Sequence, residues 1–155
     1  MRFSLIDRIL ELDRAKRIVG VKAVTLAEEY LADHFPTFPV LPGVLMLQAL
    51  VESATWLVRD SLDFAPSLVL LKTAKNITYR SFVKPGNLLR VEVTCRRLEA
   101  AESDFEGTGW CDRTEVVKGR FSLRHLTLGS GDRAAAGTHD RIVEDARARF
   151  GLIRP

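Results

Sequence analysis

HFPTFPVLPGVLMLQALVE, residues 34–52, sets one histidine and three prolines ahead of a strongly apolar run. Prolines at 36, 39 and 42 fix φ and hold the residues before them extended, so His34 to Pro42 reads as a rigid, nonhelical strap. Pro42 suits the first turn of a helix, where its missing N–H costs nothing. Gly43 lets another group approach the backbone closely, and the free N–H groups of that first turn face whatever the strap holds against them. A histidine, a glycine-exposed helix N-terminus and an apolar lining together suit the polarisation of a carbonyl beside a proton-transfer group.

Strand patterns surround this segment. Residues 5–12 and 17–25 read as two strands joined by Asp13-Arg14-Ala15-Lys16, and 26–32 as a short helix leading into the strap. The main helix is expected from Gly43 to Asp60, followed by a long strand from Ser67 to Phe82. Pro85-Gly86-Asn87 is a turn signal. After it, Leu89, Val91, Val93 and Cys95 alternate with Arg90, Glu92, Thr94 and Arg96. A glycine-containing strand over 103–111 and an Asp112-Arg113 turn lead to a last strand, in which Val117, Gly119, Phe121 and Leu123 share one face. About five or six antiparallel strands and one long helix make an α+β domain whose sheet wraps the helix.

After Leu128 the composition changes. Gly129-Ser130-Gly131 reads as a linker and 132–137 as small and polar. A short amphipathic helix is expected over 140–150, with Ile142, Ala146 and Phe150 at four-residue spacing and Gly151 as its stop. The chain therefore divides into a domain over 1–128 and, over 129–155, a linker with a tail expected to be loosely held.

Composition narrows the classes of function. With 46% hydrophobic and 28% charged residues in 155, the chain has enough apolar material for one core and is not of disordered type. No apolar stretch reaches the ~20 residues that span a bilayer, because Gln48 and Glu52 interrupt the best candidate. The N-terminus lacks a signal-peptide pattern, so a cytoplasmic location is expected. Cys95 and Cys111 lack CxxC spacing and His34, His125 and His139 are scattered, so neither a metal site nor another cofactor is expected. His125 and His139 read as surface residues. Arg96, Arg97, Lys118, Arg120 and Arg124 read as a solvated sheet face or a landing surface for an acidic partner. Nucleic acid is not expected, since no binding motif accompanies the net charge of +3.

In this order, His34-Phe35-Pro36, Pro39-Val40 and Pro42-Gly43-Val44-Leu45 closely resemble the signature of 3-hydroxyacyl-[acyl-carrier-protein] dehydratases of the FabZ type. LIDRILELDRAKRIVGVKAVT and YRSFVKPGNLLRVEV resemble that family's flanking strands and Pro-Gly turn, so the resemblance covers roughly residues 3–125. It implies the hotdog fold, an antiparallel sheet wrapped round one long helix, assembled as a homodimer and possibly a trimer of dimers. It implies that His34 acts on the C2 proton of a 3-hydroxyacyl thioester held on acyl carrier protein or coenzyme A. The backbone N–H of Gly43 would bind the thioester carbonyl, with Phe38, Pro42 and Val44 bordering the substrate.

One position departs from the pattern. The family's assisting carboxylate, contributed by the partner subunit, lies fourteen positions after the histidine, where this chain has Gln48. An amide cannot serve as a general acid near neutral pH. Glu52, one turn later on nearly the same face, stands where the family typically has glutamine. Its side chain leans back toward the strap, and burial there would raise its pKa. Gln48, Glu52, Thr55 and Arg59 form a polar stripe on an otherwise apolar cylinder, and Arg59 is a candidate to neutralise Glu52. Three readings follow: a dehydratase with Glu52 as displaced acid, a silent module that binds acyl thioesters, and a hotdog thioesterase.

Overall fold

The computed structural model describes residues 4–128 and 133–155, with residues 133–136 described by backbone alone. Six strands form one antiparallel sheet: β1 (Arg8–Asp13), β2 (Arg17–Ala23), β3 (Leu68–Tyr79), β4 (Leu88–Leu98), β5 (Glu102–Cys111) and β6 (Thr114–Leu126). Their order across the sheet is β1-β2-β4-β5-β6-β3, which leaves β1 and β3 at the edges. The long helix α1 (Gly43–Ser61) lies on the concave face, and a second helix α2 (Arg133–Ile153) follows the last strand. This is the hotdog arrangement.

Alternation explains how the sheet holds the helix. In β5 every second residue from Ser103 to Gly109 is buried, and β4 buries Leu89, Val91 and Val93 in the same rhythm. Against them α1 presents Met46, Ala49, Leu50, Ala54 and Leu57, all almost fully enclosed. Gly107 permits the close approach: a Cβ there would come within 3.1 Å of the Leu50 side chain. A longer residue at that point would push helix and sheet apart.

The strand boundaries differ modestly from expectation. Leu5 and Ile6 are buried but precede β1, and the segment before the strap contains only a 3₁₀ turn, Glu29–Leu31. Pro42 is the N-cap of α1 rather than a residue of its first turn, with φ −54° and ψ 136°.

The C-terminal segment departs further. α2 runs 21 residues, through Gly137 and past Gly151, so Gly151 does not stop it. Nor is it a loose tail. Phe150 and Ile153 join the core, and Phe150 stacks on Trp56 and meets Phe64 edge-on. Burial of an aromatic side chain against two others outweighs the low helix propensity of a single glycine. The expected linker at 129–131 and most of the small polar stretch after it lie outside the described residues.

His125 is buried rather than exposed. Its Nδ1–H donates to the Ala100 carbonyl at 3.2 Å, and Ser103 Oγ lies 2.8 Å from Nε2. A histidine on an inward-facing position of β6 must satisfy both ring nitrogens, and the β4–β5 turn supplies the Ala100 carbonyl and β5 the Ser103 hydroxyl. His139 lies half-buried, 2.6 Å from Ser67 Oγ through Nδ1.

Candidate active site

The strap from His34 to Val40 closes on itself. Val40 N–H donates to the His34 carbonyl at 3.0 Å, and Phe38 N–H donates to the Phe35 carbonyl at 2.9 Å. The His34–Phe35 peptide bond is cis. Leu41 N–H donates to the Val83 carbonyl at 2.8 Å, tying the strap to the segment after β3. Three prolines reduce the chain entropy lost in holding this shape.

One side-chain bond defines the chemistry of His34. Its Nδ1 lies 3.0 Å from the Val40 carbonyl oxygen. A carbonyl only accepts, so Nδ1 carries a hydrogen, and of the two neutral tautomers this bond selects the one whose Nε2 presents a lone pair. The ring is half-buried against Phe35, centroids 4.4 Å apart. That tautomer, with its ring held in place, is an arrangement suited to a general base.

Three residues past Val40 the helix begins. Leu45 and Met46 N–H both bond to the Pro42 carbonyl, so the N–H groups of Gly43 and Val44 precede the first intrahelical bonds. No side chain caps the end. These donors, at the positive end of the helix dipole, suit an oxygen that gains negative charge. The Tyr79 ring packs so near that a Cβ on Gly43 would come within 3.3 Å of it. Val44 and Phe38 are exposed, and Phe38 is held by an edge contact with Phe82 and by the Lys84 ammonium 4.7 Å above its ring. Thus His34, Phe38, Pro42, Gly43 and Val44 belong to one strap-and-helix-start unit.

Gln48 and Glu52 face elsewhere. With Thr55 and Arg59 they line a cleft of about 500 Å³ between α1, the start of β3 and α2; His34 is not among its walls. Gln48 is exposed at the mouth. Glu52 is largely enclosed and both its oxygens are engaged: Oε2 accepts from Leu5 N–H at 2.8 Å, Oε1 from Arg149 Nη2 at 2.7 Å. Burial pushes its pKa above the ordinary carboxylate value, outweighing the opposing pull of the Leu5 N–H and the Arg149 charge. The partner of Glu52 is therefore Arg149, not Arg59. Arg59 sits one turn beyond Thr55 and donates instead to the Ser67 carbonyl, at 2.9 Å.

Arg149 had a legible signal. It lies three residues after Ala146 on the amphipathic face of the C-terminal helix, within reach of whatever that face covers. Tyr79 against Gly43 had none, because the contact joins residues distant in sequence. The basic residues of β4 and β6 mostly find carboxylates across the strands, among them Arg96 with Glu106 and Arg97 with Asp104, both at 2.7 Å. No helix among the described residues is long and apolar enough to cross a membrane, and no cluster of metal-binding side chains occurs among them.

Comparison with known proteins bears on the family and the fold. The model of the FabA-like domain matches residues 1–120. A 3-hydroxyacyl-[acyl-carrier-protein] dehydratase FabZ of Solibacter usitatus is 40% identical over 117 residues, spanning 75% of this chain and 72% of that protein. The FabZ of Geobacillus thermodenitrificans is 39% identical over 134 residues, spanning 86% and 88%. Among solved structures, the dehydratase heterocomplex ApeI:P of Xenorhabdus doucetiae superposes with a TM-score of 0.64 at 15% identity, over 86% of each chain. An acetyl-CoA-bound protein of Streptococcus mutans reaches 0.61 at 15% identity, over 81% of this chain and 93% of that one. At such identity these two speak for the fold alone.

Proposed function

Because this chain belongs to the family of the FabA-like domain, matched over residues 1–120, we propose that it is a lyase of fatty-acid or related lipid biosynthesis. Its substrate is a 3-hydroxyacyl thioester carried on acyl carrier protein, and its product the trans-2-enoyl thioester and water. The observation that carries this reading is the bond from His34 Nδ1–H to the Val40 carbonyl, which leaves Nε2 as the base. Nε2 takes the C2 proton while negative charge on the thioester oxygen is met by the N–H of Gly43. The C3–O bond then breaks and the hydroxyl departs with a proton as water. Val44, Phe38 and Pro42 border the reacting group.

The leaving hydroxyl needs a hydrogen-bond partner, and Gln48 supplies one. Because Gln48 lies on a cleft without His34, the reading takes the two from different copies of the chain. The sheet edge favours such a dimer: β3 has a free side, and Leu70, Leu71 and Tyr79 are exposed along it. Glu52, one turn behind Gln48, is the acid of this reading, its proton relayed through one water. A cytoplasmic location and a handle on acyl carrier protein rather than coenzyme A accompany the reading.

A second reading is favoured by one observation. Both oxygens of Glu52 already accept hydrogen bonds, from Leu5 and Arg149, which fits a structural charge. The chain is then a hotdog module that holds acyl thioesters without turning them over. Hydration of trans-2-enoyl-acyl carrier protein, followed by loss of enoyl absorbance, separates the two. Turnover by wild type that Glu52→Gln abolishes, with folding intact, supports the displaced acid; full activity in Glu52→Gln contradicts it. An inert wild type that gains turnover on Gln48→Glu supports the silent module. Release of free thiol without enoyl chemistry points to hydrolysis instead.

A further inference from the structure

The cleft behind Gln48 has a feature that a plain alkyl chain does not use. Its apolar wall comes from Val51, Val69, Leu70 and Ile142, as an acyl chain requires, but one side of it is Arg59. Arg59 is only 9% exposed, and its Nη1 is fully buried with no hydrogen-bond acceptor. Among the described residues no carboxylate pairs with it; burial alone acts on its pKa and presses it downward. A guanidinium stays charged even so. Its Nη2 donates to the Ser67 carbonyl, but leaving the other terminal nitrogen of a buried guanidinium unmet is costly, and such groups in folded proteins call for a reason.

The acids that share the cleft do not supply that acceptor. Glu52 is held by Arg149 and Leu5, and Asp145 on the α2 side has an interaction of its own. Thr55 turns its hydroxyl back to the Val51 carbonyl at 2.9 Å. Arg59 is nonetheless part of the cleft wall, so the guanidinium is the charged group that an oxygen on a ligand held there would meet.

We propose that this cleft is a subsite for an acyl chain bearing a hydrogen-bond-accepting oxygen, which the Arg59 guanidinium recognises. The inference rests on the thioester reading above and gives it a substrate class. Arg59 follows Gln48 by eleven residues, about 16 Å along the helix axis. Both side chains lean back toward the helix N-terminus alike, so the guanidinium stays on the order of 15 Å from the reacting end. A long acyl group with an oxygen near its far end matches that span. α2, which closes the cleft with Ile142, Ala146 and Arg149, limits it there.

The test is a matched pair of probes, the N-acetylcysteamine thioesters of dodecanoic and 12-hydroxydodecanoic acid, titrated calorimetrically into the full chain. Wild type is expected to bind the hydroxylated probe roughly tenfold more tightly, the gain typical of a hydrogen bond to a charged donor. In Arg59→Met that ratio is expected to fall to about one. Arg59→Lys, which keeps the charge but not the planar fork, is expected to retain part of it, and near-ultraviolet circular dichroism checks that both variants fold. If Arg59→Met does not fold, the wild-type ratio together with Arg59→Lys decides. Equal binding of the two probes by wild type, an unchanged ratio in a folded Arg59→Met, or no binding of either probe would overturn the proposal. Enoyl hydration reports separately on the dehydratase reading, so failure of the subsite and failure of the reaction are distinguishable.

Discussion

At the scale of single residues, hydrogen-bond partners decide what each histidine does. His34 and His125 each give Nδ1–H to a backbone carbonyl, yet no group among the described residues bonds Nε2 of His34, while that of His125 is met by Ser103. Burial holds the His125 pKa below the ordinary histidine value. The unfolded chain therefore binds this proton more readily than the folded one, and stability present above about pH 6.5 falls as the pH drops below it. Thermal denaturation between pH 7.5 and 5 should show that loss, and His125→Gln should flatten it. Gly43 makes a second prediction. A Cβ there would come within 3.3 Å of the Tyr79 ring, so Gly43→Ala must shift either the ring or the helix start. Its N–H survives but is misplaced, and kcat/KM is expected to drop about tenfold with little change in melting temperature.

At the scale of elements, the strap, α1 and the strands were legible in the sequence because each carries its own local signal. Prolines at 36, 39 and 42 announce the strap, and alternation from Leu89 to Arg96 announces β4. α2 was legible only in part. Ile142, Ala146 and Phe150 give its apolar face, but its docking depends on Trp56 and Phe64, nearly a hundred residues earlier, and Gly151 looked like a terminus. The same long-range effect misassigned the partner of Glu52: helical spacing offers Arg59, whereas the fold delivers Arg149. Arg149 also donates to Ser4 Oγ, so one guanidinium joins the N-terminal segment, α1 and α2. Arg149→Met leaves the largely enclosed Glu52 without its counter-charge. It is expected to cost about 2 kcal/mol, between exposed and fully buried pairs, as read from denaturant midpoints. The Glu52 pKa should rise further, which a carboxyl titration followed by NMR detects.

At the scale of the whole molecule, the proposed reaction divides its residues between two half-sites of one chain. His34 and Gly43 lie at the strap, Gln48 and Glu52 in the cleft by β3, and the exposed edge of β3 offers the means to bring two copies together. Leu71, 42% exposed on that edge, is the residue at which the proposed pairing of two copies is tested. Light scattering on wild type should give twice the 17.4 kDa of the chain or a multiple of that, and Leu71→Asp should shift the mass toward the monomer. A wild-type monomer with full activity would remove the case for a shared site. Which strand lies at the edge was not legible residue by residue, because an edge strand and a buried strand of β-branched and apolar residues look alike until the strand order is known.

The central claim is that the strap histidine takes the C2 proton of a thioester. Hydration of trans-2-enoyl-acyl carrier protein by wild type and by His34→Asn, which keeps a donor toward Val40 but removes the base, tests it most directly. The account predicts loss of enoyl absorbance with wild type and a rate at least a hundredfold lower, on the order of general-base loss, with His34→Asn. Equal rates for the two proteins, with wild type turning over, would contradict it.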